Sequence, residues 1–253
     1  MAKIIAIANQ KGGVGKTTTA VNLSACVAER GKKVLLIDID PQGNASSGLS
    51  AISHDGKSIY NVLVDDCKME DAIKPTMIKN LHICVSNINL AAAEIELVSL
   101  VSRETRLNLA IEKLEQPYDY IFIDCPPSLG LITLNAFAAA NSVLVPIQCE
   151  YYALEGLGQL VNSVKLVQKH LNQDLEIEGV VLTMYDSRTR LSSQVAEEVM
   201  KYFDSKVFKT VIPRNIRLSE APSHGVPITM YDPLSKGART YKKLAKEFLQ
   251  NQK

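Results

Sequence analysis

A glycine-rich loop that joins an apolar run to a helical pattern places the strongest constraint on this chain. Residues 4–8 read IIAIA, and the next eleven residues, NQKGGVGKTTT, contain three glycines and two lysines. Glycines let backbone N–H groups turn inward around phosphate oxygens, and the start of the following helix favours an anion. The segment therefore predicts a buried strand, a phosphate-binding loop and a helix.

The loop also contains the residue types of a magnesium–nucleotide site. Lys16 supplies a point charge for the β- and γ-phosphates, and the Thr17 hydroxyl can ligate Mg²⁺ directly. The segment departs from the pattern G-x-x-x-x-G-K-S/T, because Gln10 stands at the first glycine position. Lys11 adds a second cation, which a phosphate loop does not require. The residues expected to bind the nucleotide are Lys11, Gly12, Gly13, Val14, Gly15, Lys16, Thr17 and Thr18.

Short apolar runs alternate with helical patterns along the rest of the chain. Strands are predicted at 4–8, 34–37, 81–85, 120–123, 142–147 and 179–183, and helices at 16–30, 102–114, 131–139, 153–170, 191–202 and 238–249. This alternation predicts an α/β fold with a mostly parallel, twisted sheet and helices on both faces. We expect a single P-loop domain over residues 1–253, with residues 43–80 as an irregular insertion over the site.

Aspartates follow two of the predicted strands. Ligands in such folds bind beyond the carboxyl ends of the strands, so these side chains are expected near the phosphate loop. Asp124 closes YIFID and can hold Mg²⁺ through a coordinated water. Asp38 and Asp40 lie in DIDPQG, and a carboxylate beside the γ-phosphate can orient an attacking water. For Asp38, a loop-capping role and a catalytic role both stay open.

Charge is divided unevenly along the chain. Residues 1–187 contain 15 Lys and Arg against 21 Asp and Glu, a balance of −6, whereas residues 188–253 contain 13 against 6, a balance of +7. Such segregation is typical of a face that binds a polyanion, although a solvated surface without a partner is the alternative. The basic segment has no recognisable base-reading element, so it suits phosphates and not a base sequence.

Cysteine usage and hydropathy exclude several classes of protein. The five cysteines are odd in number and never spaced as C-x-x-C, which argues against a disulfide framework and against a zinc site. No apolar stretch approaches the 18 or so residues of a membrane span, and the N-terminus has no leader pattern. We therefore expect a cytoplasmic protein that does not enter a membrane.

Several motifs resemble one family. KGGVGKTT looks like the deviant Walker A motif of the MinD/ParA ATPases. DIDPQGNASSGL, IDCPPSLGLITLNA, VPIQCEYYALEGL and VIPRNIRLSEAPSHG closely resemble its Soj/ParA chromosome-partitioning branch, over essentially the whole chain. The resemblance implies a Mg²⁺-dependent ATPase in which two subunits enclose two ATP molecules and Lys11 reaches the partner's phosphates. Because that cation would arrive from the other subunit, catalysis would require dimerisation.

The resemblance also implies the roles of individual residues. It assigns the attacking water to Asp40, which completes a catalytic set of Lys11, Lys16, Asp40 and Asp124. It places Pro213 and Asn215, in IPRN, beside the adenine, and Met184 and Asp186 are further candidates there.

A second set of implied residues concerns DNA. In this family the ATP-bound dimer binds double-stranded DNA without sequence preference, and Arg188 and Arg217 match the family's basic positions best. Lys236 and Arg239 complete the DNA-binding face expected within residues 188–243. The expected partner is a ParB-type centromere-binding protein that stimulates hydrolysis, and the expected location is the nucleoid. The phosphate loop begins by Lys11, which leaves no room ahead of it for a helix-turn-helix.

Three other functions can be compared with these patterns. A MinD-like membrane switch would expose the apolar stripe of the last helix, which is formed by Tyr241, Leu244, Ala245, Phe248 and Leu249 and could equally be that helix's packed face. A reductase similar to the nitrogenase iron protein needs two cluster-ligating cysteines, and Cys125 lacks that spacing. A ligase similar to dethiobiotin synthetase would not explain the basic C-terminal segment.

Overall fold

The computed structural model describes residues 2–51, 53, 56–150 and 153–252, with the backbone alone for residues 153–157. Within these ranges the strands are β1 (Lys3–Ile7), β2 (Val34–Asp38), β3 (Ile73–Pro75), β4 (Leu81–Cys84), β5 (Tyr120–Asp124), β6 (Ser142–Gln148) and β7 (Glu176–Thr183). They form one sheet in the order β3-β4-β2-β5-β1-β6-β7, and only the β3–β4 pair is antiparallel. The predicted mostly parallel sheet is confirmed.

Helices cover both faces of this sheet. In the described ranges they are α1 (Lys16–Ala28), α2 (Asn44–Ser47), α3 (Ile59–Val64), α4 (Met69–Ala72), α5 (Leu90–Glu96), α6 (Arg106–Glu112), α7 (Leu131–Ala139), α8 (Ala153–His170), α9 (Arg190–Phe203), α10 (Ile216–Glu220), α11 (Ile228–Tyr231) and α12 (Lys236–Asn251). Apolar residues of α3 to α9 form the core on one face, and those of α1, α2 and α10 to α12 form the core on the other. This two-sided burial explains the nearly continuous apolar strands, since β2 and β6 are buried at every position.

The parallel strands bring the predicted site residues to one edge of the sheet. Asp38 at the end of β2 lies in register with Asp124 at the end of β5, and Ile7 at the end of β1 pairs with Asp124 as well. The phosphate loop follows β1 directly. The site is therefore at the carboxyl edge, as parallel α/β sheets predict.

Two segments differ from their predicted structure. Residues 43–80 are not irregular, because they contain α2, α3, α4 and the edge strand β3. These elements are only three to six residues long, too short for a clear period, and β3 ends in a proline, which suits an edge strand. The helix predicted at 102–114 is shorter in the structure, where α6 covers residues 106–112.

The apolar stripe of the last helix is packed against the fold. Tyr241, Leu244 and Phe248 are buried, and the Phe248 ring lies 5.5 Å from that of Phe122 on β5. The Tyr241 hydroxyl is 3.1 Å from the Thr19 hydroxyl on α1. This packing removes the observation that favoured a membrane switch. In the described part of the chain, no helix combines the length and the apolar character needed to cross a bilayer.

Candidate nucleotide site

The phosphate loop has the backbone that its glycines predict. Gly13 and Gly15 adopt φ angles of 74° and 87°, in the left-handed region that side chains disfavour. A Cβ atom at Gly12 or Gly13 would meet no atom within 4 Å, so this part of the loop faces open space. Lys16 begins α1 directly after Gly15. The loop can therefore present N–H groups and a helix N-terminus to an anion.

Two residues that the sequence analysis did not single out hold this loop. The Asn9 side chain donates from Nδ2 to the Pro146 carbonyl oxygen (2.8 Å) and accepts at Oδ1 from the Lys11 N–H (3.0 Å). From the other side, the buried Thr183 hydroxyl donates to the Val14 carbonyl oxygen (2.8 Å). These bonds fix the loop to β6 and β7. Asn9 could have been found as a polar residue directly after an apolar strand, but nothing in the sequence marked Thr183.

Lys16 is held inside the loop that it follows. Its ammonium donates to the Lys11 carbonyl oxygen (3.1 Å), and its side chain is buried. Burial lowers the pKa of Lys16, and the nearby carboxyl groups of Asp124 and Asp40 oppose that shift. Lys16 is thus the positive centre of a site that also contains two of the predicted catalytic aspartates.

Asp124 is fully buried, and neither of its carboxylate oxygens has a hydrogen-bond donor among the described residues. Burial, followed by the charge of Asp38, raises the pKa of Asp124 well above its ordinary value. The Thr17 hydroxyl lies close enough to the carboxylate to oppose this rise in the pKa of Asp124. Its distance and angle to the Asp124 oxygens are nevertheless not those of a hydrogen bond. A buried carboxylate without a donor, beside a hydroxyl, fits a hydrated Mg²⁺ ion.

The structure separates the roles of the two aspartates after β2. Asp38 accepts hydrogen bonds from the Ser46 N–H and hydroxyl (2.8 Å each) and from the Asp40 N–H (3.2 Å), and burial raises the pKa of its carboxyl group. The Ser46 hydroxyl in turn accepts from the Ser86 N–H (2.9 Å). Asp38 is therefore engaged in holding α2 and the end of β4. Asp40 accepts from the Gln42 N–H (3.0 Å) and acts on Lys16 electrostatically.

Replacement of Asp38 by asparagine should destabilise the fold, because the new amide cannot accept all three hydrogen bonds. We expect the free energy of unfolding to fall by about 1–3 kcal/mol, the cost of unsatisfied buried polar groups. Urea denaturation of the nucleotide-free protein measures this, with Ser47→Ala as a control on the same short helix. Unchanged stability combined with lost ATP turnover would instead assign a catalytic role to Asp38.

A small cavity lies beside the phosphate loop, at the end of β7. Its volume is about 200 Å³, and it is lined by Gly15, Thr18, Thr183, Met184, Ile212, Pro213, Arg214, Asn215, Leu218, Ser219 and Tyr241. The adenine candidates Pro213, Asn215 and Met184 thus share one cavity with the loop, whereas Asp186 does not line it. Asn215 also begins α10, since its Oδ1 accepts from the Arg217 N–H (2.9 Å).

The predicted DNA-binding arginines are exposed but paired with carboxylates. Arg188 donates two hydrogen bonds to Asp186 (2.9 and 2.7 Å), which holds the pKa of Asp186 below its usual range. Arg217 lies 2.8 Å from Glu220 and 3.6 Å from Asp232. Nothing in the sequence indicated these pairs. They lie at the surface, where such pairs are weak and exchange readily.

The other two predicted DNA-binding residues lie at the start of α12, and both are exposed. A Cβ atom at Gly237 would come within 2.9 Å of the Leu218 side chain, so this end of α12 packs on α10. This packing places the start of α12, where Lys236 lies, next to α10. Lys236 and Arg239 thus lie on the helix that packs against α10, which carries Arg217.

Lys11, the additional lysine of the loop, forms an ion pair that was not predicted from the sequence. The Lys11 ammonium lies 3.8 Å from Glu150, which follows β6, and Arg214 lies 3.3 Å from the same carboxylate. A third of the Lys11 side chain is exposed. Lys11 thus stands at the rim of the site, whereas Lys16 is inside it.

Comparisons with known proteins identify the family of this chain. A family model described as an AAA domain matches residues 2–177. The sporulation initiation inhibitor protein Soj of Bacillus subtilis is 64% identical over 252 residues, covering 99% of this chain and 100% of its own length. The chromosome partitioning protein ParA of Myxococcus xanthus is 53% identical over 249 residues, covering 98% of this chain and 88% of its own length.

A solved structure shows the same fold at lower identity. Cobyrinic acid a,c-diamide synthase from Mycobacterium smegmatis, with bound ATP analog and magnesium, is 37% identical to this chain. The match has a TM-score of 0.89 and covers 100% of this chain and 96% of the synthase chain. The resemblance predicted from the motifs is confirmed by the curated relatives. The chain therefore belongs to the Soj/ParA family of chromosome-partitioning ATPases.

Proposed function

We propose that this protein hydrolyses ATP with Mg²⁺, dimerises around ATP and binds double-stranded DNA without sequence preference during chromosome or plasmid partitioning. The observation that carries the proposal is the buried Asp124 carboxylate, which has no donor among the described residues and lies near Lys16 and Thr17. The names of the relatives support the partitioning role. A ParB-type protein as the stimulating partner, and a cytoplasmic location on the nucleoid, belong to the same proposal.

Each residue of the site has a role that its position supports. The loop N–H groups and Lys16 bind the phosphates, and residues 213–215 hold the adenine. Thr17 would hold Mg²⁺ directly and Asp124 would hold it through water, and the ion would neutralise charge on the transferring phosphoryl group. Asp40, at the edge of this group, orients the attacking water.

Lys11 acts in this proposal on the other subunit. In the isolated chain its ammonium is paired with Glu150 at the rim of the site, and its carbonyl oxygen accepts from Lys16. An exposed cation on the glycine loop can exchange the carboxylate for a more highly charged triphosphate across an interface. Pairing of subunits and completion of the site would then be one event.

The charge distribution supports DNA as the second ligand. The basic C-terminal segment has a balance of +7, and its exposed arginines suit phosphate oxygens. Carboxylates already pair with Arg188 and Arg217, so phosphates would replace Asp186, Glu220 and Asp232. Binding of this kind releases counterions and weakens steeply as salt increases.

Sedimentation velocity tests the proposed cycle. We expect a single particle without nucleotide or with ADP, and a dimer with Mg²⁺ and a non-hydrolysable ATP analogue. Removal of Mg²⁺ with EDTA should return the dimer to monomers. DNA should co-sediment only with the dimer. A protein that stays a single particle when saturated with Mg²⁺ and the analogue would contradict the proposal.

The change Arg217→Glu should weaken DNA binding and spare the dimer. Reversing one charge at a phosphate contact should lower the affinity about tenfold or more and reduce the slope of log affinity against log salt by about 1–2. Fluorescence anisotropy with a DNA duplex at several salt concentrations measures both quantities. Lys201→Glu is the matched control, because Lys201 also pairs with a glutamate three residues away. Equal binding by both variants would remove Arg217 from the DNA-binding face.

A further inference from the structure

The predicted DNA-binding residues differ in whether the chain itself already neutralises them. Arg188 and Arg217 are each paired with carboxylates. Lys236 and Arg239 are exposed, and neither forms an ion pair with any residue that the structure describes. The pairing is therefore selective, since other cations of the same basic segment stay open to solvent.

The Asp186 carboxylate binds the Arg188 guanidinium with both of its oxygens. Its Oδ1 accepts from Nε of Arg188 (2.9 Å) and from the Arg188 backbone N–H (3.0 Å), and its Oδ2 accepts from Nη2 (2.7 Å). The Arg188 side chain is 87% exposed, whereas that of Asp186 is 24% exposed. A guanidinium binds a phosphate through the same pair of parallel donors. Asp186 therefore occupies the donors that Arg188 would offer to DNA.

Two further carboxylates hold Arg217 on α10. Glu220 accepts from Nη1 of Arg217 (2.8 Å), and an oxygen of Asp232 lies 3.6 Å from Nε. Glu220 is itself fixed, because it also accepts from the Tyr231 hydroxyl (3.1 Å), and the Tyr231 ring stacks on that of His224. Both carboxylates are less exposed than the arginine that they contact. At this position, too, anchored carboxylates hold an exposed guanidinium.

A competing anion, and not protonation, releases these arginines near neutral pH. The hydrogen bonds from Arg188 hold the pKa of Asp186 below its usual range, and the hydrogen bond from Arg217 lowers the pKa of Glu220. Both carboxyl groups therefore stay ionised near neutral pH. A DNA phosphate has to replace a carboxylate at each arginine, so each contact contributes less affinity than an unpaired arginine would.

We propose that Asp186 and Glu220 lower the DNA affinity of each subunit, so that only two subunits together hold DNA. The inference rests on the proposed function and adds the regulation of its DNA-binding face. A two-fold dimer presents each arginine twice, and linked contacts on one duplex reinforce each other. A penalty of about a few-fold per ion pair then keeps a single subunit off DNA and leaves the dimer bound.

Removal of the two negative charges tests the inference. Asp186→Asn keeps an oxygen that can accept from the Arg188 N–H, and Glu220→Gln keeps an acceptor for the Tyr231 hydroxyl. With Mg²⁺ and a saturating non-hydrolysable ATP analogue, each variant should bind a DNA duplex about three- to tenfold more tightly than the parent. The double variant should also bind the duplex with ADP, when it is a single particle. Fluorescence anisotropy at several salt concentrations measures both effects.

Two controls separate competition for the arginines from a general loss of negative charge. Glu198→Gln is the matched control, because Glu198 pairs with Lys201 in the same basic segment, and it should leave the affinity near that of the parent. Asp186→Asn should also be combined with Arg188→Ala. Most of the gain should then disappear, since no guanidinium is left to release and the two substitutions act on one contact.

The outcomes distinguish this inference from the proposed function. A parent dimer that does not bind DNA overturns both. A parent dimer that binds DNA, with variants that bind no more tightly, overturns the inference alone. So does an equal gain in Glu198→Gln, an equal gain with and without Arg188, or a double variant that binds DNA no better than the parent with ADP. A gain that depends on Arg188, together with DNA binding by the ADP-bound double variant, supports the inference.

Discussion

The variant Asp40→Ala should hydrolyse ATP about 10²–10⁴-fold more slowly than the parent and still bind it. Asp40 is mostly buried beside Lys16, on which its charge acts, and one of its oxygens is bonded to the Gln42 N–H. Alanine removes the carboxylate that orients the attacking water and leaves the phosphate loop and the Asp38 network in place. The ATP-bound dimer should therefore accumulate and remain on DNA.

Steady-state phosphate release and DNA retention measured on one preparation check this prediction. The expected result is a large loss of turnover together with DNA binding that persists for as long as ATP is present. Asp38→Asn is the comparison, because it should lower stability and keep turnover in the folded fraction. Undiminished turnover in Asp40→Ala would exclude Asp40 as the residue that orients water.

The position of the site follows from the sequence because it depends on local patterns and topology. Apolar runs bounded by charge predicted every long strand of the sheet, and the carboxyl ends of parallel strands meet at one edge. Gly13, Gly15 and Lys16 were identified because a phosphate loop demands those residue types. The location of Asp124 was predicted from this meeting of strand ends. In the structure, Asp124 at the end of β5 lies in register with Asp38 at the end of β2, as the prediction requires.

Other features were not predictable, because they depend on contacts between distant residues. Thr183 meets the Val14 carbonyl across 169 positions of the sequence, and Lys11 meets Glu150 only because β1 and β6 are neighbours. The three hydrogen bonds that Asp38 accepts could not be predicted either. Helix α5 was missed because it is only seven residues long and its apolar residues show no clear period.

Two series of contacts lead away from the predicted nucleotide site. Thr183 contacts the phosphate loop, Met184 lines the adjoining cavity, and Asp186 and Arg188 follow within five residues. On the other side, Asp124 leads into the loop before α7, where Glu94 of α5 is bonded. Arg188 and helix α5 are thus each a short distance along these contacts from the predicted nucleotide site.

The variant Lys11→Ala should lose ATP turnover by about 10³-fold or more, the effect expected of a cation supplied across an interface to the transferring phosphate. Binding of ATP to the monomer should persist, because Lys16 and the loop N–H groups remain. Separate measurements of ATP turnover and of nucleotide affinity would show that turnover is lost while binding persists. A mixing experiment then decides whether Lys11 acts on its own subunit or on the other.

Mixing Lys11→Ala with Asp40→Ala gives opposite results for the two arrangements. If Lys11 acts across the interface, the Lys11→Ala subunit retains Asp40 and receives the lysine of the Asp40→Ala subunit, so each mixed dimer has one complete site. An equal mixture should then recover about a quarter of parental turnover, since half of the pairs are mixed in a symmetric dimer. If Lys11 acts within its own subunit, no site is complete. Mixing Lys16→Ala with Asp40→Ala is the control and should recover nothing, because Lys16 serves the site of its own chain.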